Sequence, residues 1–122
     1  MEQTVRISRT QQMDLNIHIE KAIEYIAGIT STKASYAAMK GCTEARTIIR
    51  VISKRNTGMC GTMSEEELNG LNQSMTAARA AIEKHMKTIG TEYAIGRIRT
   101  ARCIIAEIKD QKSADDKQRN NG

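Results

Sequence analysis

The sequence predicts an all-α fold, a small antiparallel helical bundle of about four helices followed by a disordered C-terminal tail. Three observations lead there. The 122 residues contain no proline, no Phe, no Trp and only three Tyr, against sixteen Ile, seven Met and many Ala. Such a chain leans helical and must build its core from aliphatic side chains. Apolar residues also recur at helical spacing in four separate stretches, and polar or glycine-containing segments divide them. One domain over residues 1–109 and a polar tail over 110–122 follow. A core of this size has little to spare, so a homodimer is expected to add burial.

The first helix is read from the stripe Leu15, Ile19, Ala22, Ile26 and Ile29, with Ile23 alongside. Met13, Leu15, Ile17 and Ile19 also alternate with period two, but the helical stripe is the longer pattern. Gly28 ends the element. The second helix opens at Ser31 or Thr32, both good N-caps, and runs to about Lys54. Its inward stripe is Ala34, Ala38, Gly41, Ala45, Ile48 and Ile52. Gly41 either lies within that helix or marks a turn.

Residues 56–63, with two glycines, read as a loop. Ser64 followed by Glu65, Glu66 and Glu67 is a capping box with acid at the positive end of the helix dipole. The third stripe is Leu68, Leu71, Met75, Ala78, Ile82, Met86 and Ile89, closed by Gly90 as a C-cap. Thr91 caps the fourth helix, whose stripe is Ala94, Ile98, Ala101, Ile105 and Ile108. So short a connection favours an antiparallel hairpin. The tail from Asp110 to Gly122 is polar and aperiodic. No internal repeat stands out.

No run of eighteen apolar residues exists, which argues against a membrane span. The first residues lack the apolar core of a secretory signal. Cys42, Cys60 and Cys103 are odd in number and have no C-x-x-C spacing, so free thiols are expected. An intracellular protein, cytoplasmic or nuclear and not secreted, is the expectation. No cofactor or metal is implied. Size and composition would suit a viral, phage or plasmid accessory protein.

Charge carries the functional expectation. Residues 33–55 hold Lys33, Lys40, Arg46, Arg50, Lys54 and Arg55 against Glu44 alone, a sum equal to the net +5 of the chain. Localised positive charge points to an anionic partner such as a nucleic-acid backbone. Arg46, Arg50 and Lys54 are spaced i, i+4, i+8 and share one face. Arg99, Arg102 and Lys109 repeat the pattern on the fourth helix. With few aromatic rings to stack on bases, the expected partner is double-stranded RNA or DNA held by phosphate contacts. The candidate residues are Lys40, Arg46, Arg50, Lys54, Arg55, Arg99, Arg102 and Lys109, with the two basic faces side by side and no catalytic role. The alternative is a protein-binding adaptor or inhibitor, whose small-residue stripe and Met59/Met63 loop engage a partner helix.

Three local resemblances bear on this. Residues 33–46 resemble a helix-turn-helix: Ala37 and Gly41 have its A-x-x-x-G spacing, and Thr43 would open a recognition helix carrying Arg46 and Arg50. Thr47 stands where that motif has an apolar residue. Thr4-Val5-Arg6-Ile7-Ser8 is similar to the short strand of ribbon-helix-helix repressors, although the helix that follows is long for that family. Arg79 and His85 have an R-x5-H spacing similar to that of HEPN ribonucleases, with Ala80 where those enzymes often carry a polar group. No P-loop, H-E-x-x-H or nucleophile elbow occurs.

Overall fold

The computed structural model describes residues 4–121. Four helices dominate: α1 (Arg9–Ala27), α2 (Lys33–Arg55), α3 (Glu65–Ile82) and α4 (Ile89–Asn121). Two strands accompany them, β1 (Thr4–Ser8) and β2 (Cys60–Ser64), paired as one antiparallel ribbon. The fold is thus predominantly helical but not all-α. Residues 60–64, expected within a loop, form β2. The tail expected to be disordered is helical to Asn121 as a continuation of α4.

The order strand–helix–helix occurs twice. Each strand and the start of each helix lie 56 positions from their counterpart: Thr4 and Cys60, Arg9 and Glu65, Lys33 and Ile89. The core repeats with them. Leu15, Ala22 and Ile26 of α1 correspond to Leu71, Ala78 and Ile82 of α3, and all six are buried. Ala45-Arg46-x-Ile48-Ile49-x-x-Ile52 of α2 recurs as Ala101-Arg102-x-Ile104-Ile105-x-x-Ile108 of α4. The internal repeat missed in the sequence is therefore real in both registers.

Capping follows the same frame. Ser8 with Gln11 and Ser64 with Glu67 form reciprocal boxes at α1 and α3. Thr32 with Ser35 and Thr88 with Thr91 do the same at α2 and α4. Each box satisfies backbone donors that a helix start leaves unpaired. Thr88, rather than Thr91, therefore begins α4, and Met86 and Ile89 are exposed instead of extending the third stripe.

The helices pack around a square in the order α1, α2, α3, α4, with α1 beside both α2 and α4; α1 and α3, like α2 and α4, are diagonal. The ribbon closes one end, turning Val5, Ile7 and Met63 into the core. Its register pairs Arg6 with Thr62, which are themselves counterparts. A residue faces its own counterpart only where a two-fold axis passes, so the axis relating the repeats runs through that pair. At the free edge of β2, the Asn56 side chain takes the place of a third strand. It donates to Thr62 O at 2.9 Å and accepts from Thr62 N at 3.2 Å.

The small-residue stripe of α2 is consumed inside the bundle. α2 is continuous through Gly41, which removes the turn a helix-turn-helix needs. A Cβ there would lie 2.7 Å from the Ser74 carbonyl oxygen and 3.0 Å from Ala78 Cβ. Absence of a side chain lets α2 and α3 approach closely. The inward stripe also differs from the expected one at both ends: Ser35 and Ile49 are buried where Ala34 and Ile48 were expected, Cys42 joins them, and Ile48 packs at the edge against Gly70.

Candidate nucleic-acid interface

The eight candidate cations do not form one face. α2 and α4 occupy opposite corners of the square, so their basic flanks point away from each other. The expectation of two basic faces side by side is overturned by this packing order. Arg50 and Lys54 instead border a groove between α1 and α2 with Gln12, Met13 and Asn16. Arg99 borders a groove between α3 and α4, with Ile82 and Glu83 across from it. Arg102 and Lys109 follow at three and ten residues and continue along the same flank of α4.

In the first groove, charge is partly neutralised from α1. Arg50 Nη2 donates to Glu20 Oε1 at 2.7 Å, and Arg46 Nη1 lies 3.8 Å from Glu20 Oε2. Arg55, on the other flank of α2, is engaged by α3. It donates from both terminal nitrogens to Glu67 at 2.7 and 3.1 Å, and also to Thr62 O at 3.2 Å. The Arg55 hydrogen bonds hold the Glu67 carboxyl below its usual value, against the opposing effect of burial. Arg55 therefore serves to lock β2 and α3 to α2.

Lys40, Lys54, Arg99, Arg102 and Lys109 enter no ion pair among the described residues. Lys33, a basic residue of α2 outside the eight candidates, joins them. Lys33, Lys40, Thr47 and Lys54 recur every seven residues, and all four are exposed on the outward side of α2. The second groove is compensated differently: Glu83 and Glu92 line it beside Arg99, but no carboxylate stands at the position equivalent to Glu20. Arg102 is the counterpart of Arg46, and the counterpart of Glu20 is Thr76, which has no charge.

The ribbon adds one further cation. Alternation puts Thr4, Arg6 and Thr62 on its outward side, all exposed. Arg6 reaches the C-terminal extension of α4 and pairs with Asp115 at 3.2 Å. Lys112 anchors that extension, bonding Glu65 at 2.9 Å and Asp116 at 2.8 Å. Thus the strand singled out by the ribbon-helix-helix resemblance is formed, and α4 lies beside it.

Both histidines and Arg79 are engaged structurally. His85 is buried, with Nδ1 2.9 Å from Met86 O and Nε2 2.9 Å from Thr30 O. Both partners are acceptors, so the doubly protonated ring satisfies both, and these bonds raise the His85 pKa. Arg79 is paired with Glu83 at 3.0 Å rather than aimed at His85. His18 accepts from Arg97 at 3.1 Å, and burial first, then that guanidinium, lower its pKa. Burial pushes the Cys42 thiol up to about 12, whereas Cys60 and Cys103 are exposed free thiols.

Among the described residues, no cluster of three His, Cys, Asp or Glu is placed to hold a metal, and no helix is long and apolar enough to cross a membrane. No protein-family model, curated protein or solved structure matches the chain.

Proposed function

We propose that this protein is a non-enzymatic binder of double-stranded nucleic acid that holds the phosphate backbone. One observation carries the reading: among the described residues Arg99, Arg102 and Lys109 enter no ion pair on the α3/α4 flank, where Thr76 stands at the position equivalent to Glu20. Cations left without partners on a folded surface are available to displace counterions from phosphates. Lys33, Lys40 and Lys54 supply the same property on α2. Arg46 and Arg50 contribute more weakly because Glu20 competes for them, and Arg55 contributes least.

The outward row of the ribbon supports a second mode of contact on the same partner. A major groove admits a two-stranded ribbon, and Arg6 would reach guanine there by exchanging its Asp115 partner for the base. Sequence preference that relaxes in Arg6→Ala, with unchanged affinity for random duplex, is the expected signature. The adaptor alternative loses its small-residue stripe to the α2–α3 contact, but Met86, Ile89 and Tyr93 remain exposed together near the start of α4.

A gel-shift panel of dsRNA, dsDNA and single strands tests the reading directly. Three phosphate contacts in one groove imply a log–log salt slope of about −2.7 on B-DNA, or roughly 40-fold weaker binding at 200 mM than at 50 mM salt. Absence of any duplex shift at low salt would refute it.

A further inference from the structure

We infer that the protein bridges two duplexes, one on the α1/α2 face and one on the α3/α4 face. This deepens the duplex-binding reading and rests on it. The two cation triplets, Arg46/Arg50/Lys54 and Arg99/Arg102/Lys109, lie on opposite faces because α1 and α2 form one side of the square and α3 and α4 the other. The two-fold through Arg6 and Thr62 carries one groove onto the other. Only Arg46 and Arg102 are counterparts; the other four cations stand at different repeat positions. Each face has thus acquired its own set of cations on a shared frame.

Geometry excludes the simpler alternative of one straight duplex touching both triplets. Helices about 10–12 Å across, with axes about 8–10 Å apart, make a bundle roughly 20 Å thick. A straight duplex laid on one face cannot reach across it. Two duplexes held on opposite faces, by contrast, sit more than two Debye lengths apart at physiological salt, about 8 Å each, so their mutual repulsion is largely screened. Each face carries its own acids: Glu20 pairs with Arg46 and Arg50 on the α1/α2 face, and Glu83 and Glu92 line the α3/α4 groove beside Arg99.

The experiment uses the full chain, one duplex immobilised on beads and an identical fluorescent duplex in solution. Wild-type protein should capture the fluorescent duplex onto the beads at low salt. Variants with either triplet changed to Glu should still shift one duplex in a gel but lose at least ten-fold in capture. Gln versions of the same triplets replace any Glu version that circular dichroism shows to be unfolded. If wild-type protein shifts a duplex yet captures none at any ratio, bridging is wrong while duplex binding stands. If both one-face variants capture as well as wild type, bridging runs through something other than the two faces, and the inference is likewise overturned. If no duplex is shifted at all, the underlying reading has failed instead.

Discussion

The two repeats meet each other at two equivalent junctions, α2 on α3 and α4 on α1, and fill them in opposite ways. At the first, Gly41 lies against Ser74 and Ala78. At the second, the counterparts of Gly41 and Ser74 are Arg97 and His18, which meet through a 3.1 Å hydrogen bond. The contrast continues along the helices. Ala37 and Ala81 correspond to Tyr93 and Tyr25, whose rings lie 5.3 Å apart at 36°. One junction is closed by removing side chains and the other by interposing large ones. A shared backbone frame therefore does not dictate how its seams are packed; local size complementarity does.

The largest effect should come from closing the small junction against itself. Gly41→Ala places a methyl group 2.7 Å from a backbone oxygen that has no rotamer to escape into. We expect a loss of about 1–3 kcal/mol in urea unfolding, despite a helix propensity that favours Ala by about 1 kcal/mol. A net gain would show that the seam has slack. Next comes the large junction. Tyr93→Ala removes the ring pair and should cost roughly 0.5–1.5 kcal/mol, because Tyr93 is itself partly exposed. Gly96 makes a useful contrast with Gly41: a Cβ there meets nothing within 4 Å. Gly96→Ala should accordingly stabilise by about 0.5–1 kcal/mol, and a loss there would mean the surrounding surface is not open.

Smaller effects test the charge asymmetry and the histidines. Glu20→Thr gives α1 the residue that α3 already has at Thr76. Freeing one net charge should steepen the salt slope of duplex binding by about 0.9. An unchanged slope would mean that Arg46 and Arg50 do not meet phosphate. The histidines should titrate on opposite sides of 6.5 when followed by NMR. His85, with its pKa raised by two carbonyls, adds stability that is full below 6.5 and fades as pH rises through its folded value. His18, lowered by burial and Arg97, behaves inversely: its contribution is full above 6.5 and is lost as pH falls. Glu83, Glu92, Lys87 and Arg99 line the same groove as His85, so its titration should be compared at two salt concentrations.

Much of the helical frame was legible in the sequence. The stripes of α1 and α4, the Thr32 cap and the Ser64–Glu67 box are all formed, because hydrophobic periodicity and capping are local signals. The ribbon was not legible. Each strand turns only two residues inward, and Gly61 makes Cys60–Ser64 look like a loop. Likewise, the α4 extension is held by Arg6, Glu65 and polar residues, to which apolar periodicity is blind. The candidate site was legible as a set of cations but not as an arrangement. A wheel drawn for one helix cannot show that Glu20 arrives from α1, that Glu67 arrives from α3, or that α2 and α4 are diagonal. The repeat was written in Ala-Arg-x-Ile-Ile-x-x-Ile all along, but its counterparts are spread thinly among isoleucines and alanines that also occur elsewhere.

The ribbon register has a consequence for the chain during synthesis. β1 has no ladder partner until β2 exists, α1 has no second neighbour until α4 is made, and Arg6 waits 109 residues for Asp115. At about 5–20 residues per second, roughly 4–16 s separate the translation of Ile26 from that of Ile108. Throughout that interval the first repeat presents an open apolar seam, and until Ser64 is made β1 is an unpaired strand as well. The second repeat of a neighbouring nascent chain is built to the same frame and fits that seam too. Polysomes that crowd two such chains together therefore offer a route to exchanged dimers, with residues 56–59 as the connection that swings across.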